Sequence, residues 1–486
     1  MRKPLKSQRT IGSIDIGKVE FNQNCRHEIV PILMGLQWIY SKSEVFKKVM
    51  ALVRQEILKG KSPKLGAPGM AYWEILVLAA VRHGCGLDYD ALEDLANNHR
   101  KIRQIMGLGD IDIKVYKRST LQENVAKIPF ESIEKISQLI IDEGHSLCPK
   151  AIERVRGDSF VVRTNIHYPT DANLIMDGIR KMLDFAIKIA ALLSIVGCRR
   201  GHVWSRAKKI HRRIQKAASS KKSDRSQKLQ ELYIELIELA QQLIQKCEQT
   251  ISTSRQVIKI DGIGPLVIDS LIRELENCIE FTRKVCALAY RRVVLEEKIP
   301  HEEKIFSLFE PHTELINRGK IPFPIEFGHR VLVIQDKAGF IIKFLVMDNT
   351  TDEKVVVPIM EKLQCYYGGR IMSASFDKGF YTPQNLIALK KMIPLVCIPK
   401  KGKLSKEDKE REGSLEFGKA RKRHPGIESA IHALGSGNGL VLCKDKKEKG
   451  YQRYVALGIL GRNLQVLGCI LLKKARSKQS QEAKAA

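Results

Sequence analysis

Two strand-like stretches, separated by a long helical segment, constrain the fold of this 486-residue chain most strongly. The first is AIERVRGDSFVVRTNIHYPTD (151–171), which places β-branched residues on both sides of Gly157-Asp158-Ser159 and predicts a β-hairpin. The segment 199–318 is helical in pattern and rich in charge. The second strand-rich stretch begins near residue 321, so the sequence predicts β structure that is divided by a helical block.

The stretch after residue 321 predicts strands alternating with helices. FGHRVLVIQDKAGFIIKFLVMDNTTD indicates two strands joined by the turn DKAG, a helix follows in DEKVVVPIMEKLQCYYGG, and the next strand, RIMSASFD, ends at Asp377. TPQNLIALKKM then indicates a helix, IPLVCIP a strand, and the lysine- and glutamate-rich residues 400–420 a mobile loop. Glu428 lies in the first turn of a helix that Pro425 and Gly426 open. A last apolar helix, within GYQRYVALGILGRNLQVLGCILLKKA, is expected to close the core.

The first 150 residues are predicted to be helical. Tight glycine-containing turns join short helices between residues 70 and 107, and this pattern fits either a helix-turn-helix DNA-binding unit or a plain helical bundle. Basic side chains raise the expectation of DNA binding: Arg100, Lys101, Arg103, Lys114, Lys117 and Arg118. Further along the chain, the GIGP turn at 262–265 resembles a helix-hairpin-helix turn, although a turn between two packed helices is the more frequent cause of such a pattern.

The charge of the chain indicates a polyanionic partner. Lysine and arginine number 83 against 54 aspartates and glutamates, a net charge of +29. Nucleic acid is the first candidate partner, and an anionic membrane surface is the second. The membrane ranks lower because no terminal amphipathic anchor or lipidation motif is evident. Residues 199–228 hold twelve of the basic residues and a single acid, Asp224, which suits contact with a phosphate backbone.

The predicted DNA-contacting residues of this segment are Arg199, Arg200, Trp204, Arg206, Lys208, Lys209, Arg212 and Arg213. For Trp204 two roles remain open, stacking on a displaced base or anchoring the helix in a core, and the second is the more frequent.

Composition argues against several other classes of protein. The basic N-terminus lacks the apolar core of a signal peptide, and no uninterrupted apolar run reaches the roughly 18–20 residues of a membrane span. The 11 cysteines include no CxxC pair, which favours reduced thiols over a disulfide framework or a zinc site. We therefore expect a cytoplasmic protein that does not bind membranes.

Three acids at the ends or starts of predicted elements are candidate metal ligands: Asp158, Asp377 and Glu428. Phosphodiester chemistry requires an activated water or 3′-hydroxyl and a stabilised in-line phosphate, and two Mg²⁺ ions about 4 Å apart supply both. Mg²⁺ takes hard oxygen ligands, so a few carboxylates suffice. Composition alone does not select these three, because other acids also lie near predicted strands, and Asp377 by itself could be a helix cap. Those other acids are Asp336, Asp348 and Asp352.

The segment GDSFVVRTNIHYPTDANLIMDGIRKML resembles the first catalytic segment of ISNCY-type transposases, which are bacterial insertion-sequence enzymes of the DDE class. SLFEPHTELINRGK with FGHRVLVIQD, then FDKGFYTPQNL, then RHPGIESAIHALGSGNGL are similar to later segments of that family, in the same order. DALEDLANNHRKIRQIMG resembles its N-terminal helical region. The resemblance extends from about residue 70 to residue 468.

The resemblance implies an α/β RNase H-like (integrase-like) catalytic core with an N-terminal helical DNA-binding region and a large all-helical insertion. It implies that Asp158, Asp377 and Glu428 are catalytic and hold two Mg²⁺ ions, which Mn²⁺ can replace. Related enzymes often carry a tyrosine and an arginine before the glutamate and a lysine after it. Here no tyrosine precedes Glu428, and Ala433 and Leu434 stand near the place of the lysine. From position and charge, phosphate contacts are expected from Arg421, Arg423 and His424.

The predicted organisation has five parts: 1–150, the N-terminal helical region; 151–198, the first part of the core; 199–320, the helical insertion; 321–474, the second part of the core; and 475–486, a basic tail. The predicted function is a DNA transposase that binds terminal inverted repeats and target double-stranded DNA, as a homodimer or larger assembly, in the bacterial cytoplasm at the nucleoid. Two alternatives remain: a nuclease without strand transfer, and an inactive transposase-derived DNA-binding or architectural protein.

Overall fold

The computed structural model describes residues 3–5, 13–58, 69–196, 199–261, 265–317, 319 and 324–485. The chain divides into two compact units: Met1–Asn165 with Glu314–Ala486, and Ile166–Thr313. We call the first the core unit and the second the helical unit. The helical unit begins earlier in the chain than the insertion predicted at 199–320, because the long helix that starts at Asp171 packs with it.

Helices account for most of the described residues. Before the helical unit, the core unit contains α1 (Ile29–Ser41), α2 (Ser43–Leu58), α3 (Tyr72–Gly84), α4 (Tyr89–Asn98), α5 (Arg100–Ile105), α6 (Arg118–Val125) and α7 (Phe130–Leu147). The helical unit contains α8 (Asp171–Leu193), α9 (Arg200–Ala218), α10 (Arg225–Asp261) and α11 (Pro265–Ala289). After it, the core unit contains α12 (Asp352–Tyr366), α13 (Pro383–Met392), α14 (Lys406–Gly413), α15 (Leu415–Arg423), α16 (Gly426–His432) and α17 (Glu448–Ala485).

One mixed sheet of seven strands forms the centre of the core unit in the described part of the chain. The strands are β1 (Arg154–Thr164), β2 (Glu314–Asn317), β3 (Ile325–Asp336), β4 (Ile341–Val346), β5 (Ser373–Phe376), β6 (Leu395–Cys397) and β7 (Leu442–Cys443). β3 lies antiparallel to β1, β4 and β2, whereas β5 lies parallel to β1 and to β6, and β7 pairs with the end of β1. The core unit is therefore α/β, as predicted.

The hairpin predicted at 151–171 is wrong, because β1 is a single strand that runs straight through Gly157-Asp158-Ser159. β3 pairs with it without interruption from Val155↔Asp336 to Arg163↔Gly328. Gly157 serves packing rather than a turn, since a Cβ there would lie 2.5 Å from Cε1 of Phe376 on β5. The second predicted hairpin is confirmed: β3 and β4 are joined by the DKAG turn.

The mobile loop predicted at 400–420 is also wrong, because α14 and most of α15 occupy it. Ser405 and Asp408 form a capping box at the start of α14, and Ser414 caps α15 through a bond from the Phe417 N–H. Phe417 is buried with Cys397 of β6, which fixes α15 beside the sheet. The two predicted elements after this segment are confirmed: α16 begins at Gly426, and the apolar α17 is buried in the core.

Most of the N-terminal basic residues hold the helical region together. Arg100 pairs with Asp110, and Arg118 pairs with Asp90. Lys114 Nζ lies 2.6 Å from an Oε of the buried Glu74. The Arg103 guanidinium donates to backbone carbonyls, including that of Lys114 at 3.1 Å. α3 is buried along its whole length, so these helices pack into a bundle around it.

The helical unit has its own apolar core, drawn from α8, α9, α10 and α11. Thr170, and not the neighbouring Asp171, caps α8 by accepting a hydrogen bond from the Asn173 N–H. Asp171 instead forms an ion pair with Arg292 at 3.1 Å. The central residues of the GIGP turn, 262–264, lie outside the described residues.

Glycines allow α17 to cross its neighbours at close range. A Cβ on Gly461 would lie 2.6 Å from the Gly84 Cα of α3, and one on Gly468 would lie 1.9 Å from the Pro31 carbonyl oxygen of α1. By length and composition Glu448–Gln479 is the one described helix that could cross a membrane, but 78% of its most apolar window is buried inside the protein. The helix is accordingly a core element, around which the N-terminal helices pack.

Replacing Gly461 by Ala should destabilise the core unit by about 1–3 kcal/mol, because the added methyl group meets the α3 backbone, which cannot move aside as a side chain can. Gly450→Ala, in the first turns of the same helix, is the control, since its Cβ would meet nothing closer than 3.5 Å. Chemical denaturation of both variants and the wild type would check this. Equal stability of the two variants would contradict the close crossing.

Candidate active site

Asp158 and Asp377 stand at the same level on neighbouring parallel strands. The last paired residues of β1 and β5 are Gly157 and Phe376, and the two aspartates come directly after them. Side chains alternate between the faces of a sheet, so each aspartate shares a face with the residue two positions earlier. Those residues, Arg156 and Ser375, are themselves a register pair. Adjacent strands lie about 4.8 Å apart, so the register brings the two predicted acids together on one face.

Glu428 approaches the same face from α16. It lies in the first turn of that short helix, two residues after Gly426. The corner between α15 and α16 rests on β1, where Arg156 Nη1 donates a hydrogen bond of 3.0 Å to the Arg423 carbonyl. The charge of Glu428 acts on Asp158 together with that of Asp377. The structure therefore brings all three predicted acids into one electrostatic environment.

Burial and like charge raise the pKa of Asp158 to about 6. Burial is the largest cause, and the negative charges of Asp377, Asp352 and Glu428 act in the same direction. The Ser159 N–H donates to Asp158 Oδ1 at 2.7 Å and opposes the shift. A partly buried carboxylate with acidic neighbours is the environment that a bound cation would stabilise.

Asp352 is a fourth acid of this cluster; it lies near a predicted strand but is not one of the three candidates from the sequence. It is the first residue of α12, and its Oδ1 atom is buried with no hydrogen-bond partner in the described part of the chain. The Ser159 hydroxyl donates to its carboxylate, and Arg330 Nη1 lies 4.0 Å from Oδ2. Burial is the main cause that raises the pKa of Asp352, and Asp377 adds to it. Its position at the start of the first helix after β4 was the available signal.

The remaining acids named near strands lie outside the cluster. Asp336 is fully buried, where its Oδ2 lies 2.7 Å from His145 Nε2 and its Oδ1 accepts the N–H groups of Gly339 and Phe340. These bonds make Asp336 the structural residue of the β3–β4 turn. Asp348 is exposed on the loop before α12.

Asp377 also has a local structural role. Its Oδ1 accepts the Gly379 N–H at 2.6 Å and so caps the short 3₁₀ turn Lys378–Phe380. A Cβ on Gly379 would lie 2.7 Å from that oxygen, so a larger residue would displace the Asp377 carboxylate from this hydrogen bond. Phe380 is buried and packs on Phe376 at 5.1 Å between ring centroids. The helix α13 has its own cap, Thr382, so Asp377 is not needed there.

The donor set fits hard divalent cations. No group of three or more histidine, cysteine or acidic side chains among the described residues is arranged as a closed metal cage. The cluster nevertheless offers carboxylate oxygens, the ligands that Mg²⁺ prefers, on rigid strands and helix starts. Burial, with the negative charge of its neighbours, raises the pKa of Asp158, and Asp352 contributes a buried oxygen that lacks a partner among the described residues. These two observations are consistent with a cation site on this face of the sheet, beside the end of β5.

The three predicted phosphate-binding residues before Glu428 differ in their surroundings. Arg421 and Arg423 are exposed, and Arg421 Nη1 lies 3.9 Å from Glu412. His424 is half-buried with Nδ1 3.2 Å from Ser375 Oγ, and burial lowers its pKa. His424 is therefore largely neutral at pH 7 and tethers the corner to β5, whereas the two arginine side chains face solvent.

In the helical unit, α9 turns its basic side chains outward. One buried stripe, Ala207, Ile210, Ile214 and Ala217, faces the core of that unit. The predicted DNA-contacting residues that remain exposed are Arg199, Arg200, Arg206, Lys208, Lys209, Arg212 and Arg213. Two of them form ion pairs, Arg200 with Asp184 at 2.7 Å and Arg213 with Glu235 at 2.8 Å. Trp204 is partly buried against the core, with Lys208 Nζ 5.3 Å from its ring centroid.

Asp158→Asn should stabilise the metal-free protein at pH 8 and change its stability little at pH 4. A carboxyl with a raised pKa in the folded state binds more protons folded than unfolded, so the destabilisation it causes grows as pH rises from about 4 to about 6. The gain at pH 8 should be on the order of 1–3 kcal/mol. Denaturation in EDTA at both pH values, with Asp348→Asn as control, checks this. A less stable Asn variant at pH 8 would contradict the charge cluster.

No family model matches this sequence, and neither a curated protein nor a solved structure matches it.

Proposed function

We propose that this chain is a DNA transposase of the DDE class, similar to the ISNCY type, with an RNase H-like catalytic core. The observation that carries the proposal is the register of β1 and β5, which sets Asp158 beside Asp377 on one face of the sheet, with Glu428 at the start of the helix above it. The order of elements also supports it. β1, β3 and β4 are followed by α12, β5 with Asp377, α13, β6 and then the helix of Glu428, the order expected of that fold.

The proposed reaction is phosphoryl transfer in two steps, strand cleavage at each element end and attack of the freed 3′-hydroxyl on target DNA. Asp158, Asp377 and Glu428 would hold two Mg²⁺ ions, which supply an activated nucleophile and charge stabilisation at the phosphate when bound. The fold itself holds the carboxylate ligands in fixed positions. Asp158 is fixed by pairing on both sides of β1, and Asp377 by the Gly379 N–H.

DNA contact is proposed for the outward face of α9 and for Arg421 and Arg423 beside Glu428. Seven of the twelve exposed positions of α9 carry lysine or arginine, and such a helix face neutralises successive phosphates without reading bases. Trp204, partly buried, is proposed to anchor α9 rather than to stack on a base. Because two ends must be cut and joined, the active form is proposed to be a homodimer or a larger assembly, in the cytoplasm of a bacterium.

Asp377→Asn should abolish metal-dependent cleavage while DNA binding persists. Asn keeps the shape and the capping oxygen but is a much poorer Mg²⁺ ligand, so the rate should fall at least about 100-fold, the scale of loss when a reacting group is misplaced by an ångström. The assay is cleavage of a labelled duplex carrying the element's own end, with Mg²⁺ or Mn²⁺, beside Asp348→Asn as a matched acid outside the cluster.

Equal cleavage by wild type and Asp377→Asn would remove Asp377 from the site. Tight binding without cleavage by the wild type would favour the architectural protein. Cleavage without joining of a supplied 3′-hydroxyl end to target DNA would favour the nuclease.

Lys209→Ala and Arg212→Ala together should weaken duplex binding and reduce the slope of log affinity against log salt by about 2, since each phosphate contact contributes about 0.9 to that slope. Both side chains are exposed on α9. Lys284→Ala, an exposed lysine of α11 that is paired with Glu280, is the control in the same unit. An unchanged slope in the double variant would exclude the α9 face as a DNA contact.

A further inference from the structure

We propose that Arg156 is a positioning residue of the candidate site, whose guanidinium ties the α15–α16 corner to β1 and so sets how far Glu428 stands from Asp158. The inference rests on the proposed function, because it assigns a role toward the metal ions of that site. Arg156 was not among the residues selected from the sequence.

The guanidinium of Arg156 connects three elements. Arg156 is two residues from Asp158 on β1, on the same face of the sheet. Its Nε donates to Gln335 Oε1 on β3 at 2.8 Å, and its Nη1 donates to the carbonyl of Arg423, the last residue of α15, at 3.0 Å. Gln335 is held in turn, since its Nε2 donates to the Gly339 carbonyl at 3.1 Å. The Arg156 guanidinium is therefore held by hydrogen bonds at two of its nitrogen atoms, Nε and Nη1.

Gly426 has no side chain and so leaves space for the Arg156 guanidinium. A Cβ at that position would lie 1.9 Å from Arg156 Nη1 and 2.6 Å from Cζ, although the backbone there does not have a positive φ that would itself favour glycine. Gly426 is the first residue of α16, two residues before Glu428. Glycine at this place is thus explained by the approach of Arg156 to the helix that carries the third acid.

A second and longer polar contact also holds the corner between α15 and α16 against the sheet. His424 Nδ1 lies 3.2 Å from Ser375 Oγ, and Ser375 is the register partner of Arg156 on β5. The corner is accordingly fixed to the strand of Asp158 by Arg156 and to the strand of Asp377 by His424. Partners that orient metal ligands in this manner typically change metal affinity by about 10- to 100-fold when they are removed.

Two variants test the role in different ways. Arg156→Met keeps the apolar stem and removes every donor. Gly426→Ala keeps Arg156 but its methyl group occupies the place of Nη1, and because that atom is the end of a flexible side chain the fold can persist. Gly418→Ala on α15 is the matched control, since its Cβ would meet nothing within 4 Å. Arg156→Lys, which can make one of the two bonds, should recover part of the loss.

The measurement is the Mn²⁺ dissociation constant of the full-length protein by electron paramagnetic resonance, with thermal unfolding of each variant alongside. We expect Arg156→Met and Gly426→Ala to bind Mn²⁺ about 10- to 100-fold more weakly, with Gly418→Ala like the wild type. Lower melting temperatures with Mn²⁺ affinity unchanged would make Arg156 merely structural and overturn the inference.

Asp158→Asn separates this inference from the proposed function. If the wild type binds no Mn²⁺, or binds it equally well after Asp158→Asn, the proposed metal site fails and the role of Arg156 fails with it. If Asp158→Asn abolishes binding while Arg156→Met and Gly426→Ala do not weaken it, the proposed function stands and only the positioning role is wrong.

Discussion

The in-register pairing of β1 with its neighbours, antiparallel to β3 and parallel to β5, is the constraint on which the candidate site depends. It aligns Gly157 with Phe376 and thereby sets Asp158 beside Asp377, residues more than two hundred positions apart in sequence. A shift of one residue would turn Asp158 to the opposite face. The absence of a Cβ at Gly157 supports this register, because Phe376 occupies that space.

The buried acids of the core unit have two kinds of surroundings, and the contrast between them supports a functional role for the cluster. The structural Asp336 has a histidine and two backbone N–H groups around its carboxylate. Asp158 instead has acidic neighbours, and Asp352 has an oxygen without a partner in the described residues. Local electrostatic conflict of this kind is expected where a protein has retained function at some expense of stability.

Local sequence patterns predicted those elements whose structure is decided locally. The β3–β4 hairpin, the strand before Asp377, the helix that carries Glu428 and the buried α17 all lie where periodicity and turn residues indicated. The hairpin at 151–171 was predicted wrongly because Gly157 next to an aspartate has the composition of a turn, whereas its reason is the distant Phe376. The loop at 400–420 was predicted from charge, but the capping box of Ser405 and the buried Phe417 and Ala420 favour helices there.

The site was predictable only in part for the same reason. The three acids could be selected through a resemblance of ordered segments, but Asp352 and Arg156 belong to the cluster through tertiary contacts with Ser159, Gln335 and the Arg423 carbonyl. Likewise, the basic residues of the N-terminal helices looked available for DNA, and their partners, among them Glu74 and Asp110, became evident only in the folded structure.

Everything proposed for this protein depends on a divalent-cation site at Asp158 and Asp377, on one face of the central strands. The most direct test is a crystal of the protein soaked in Mn²⁺, with data collected at the manganese absorption edge. We expect an anomalous peak within about 2.0–2.3 Å of carboxylate oxygens from Asp158 and Asp377, with Glu428 nearest among the helical acids. A fully occupied manganese site elsewhere, with none at these aspartates, would contradict it.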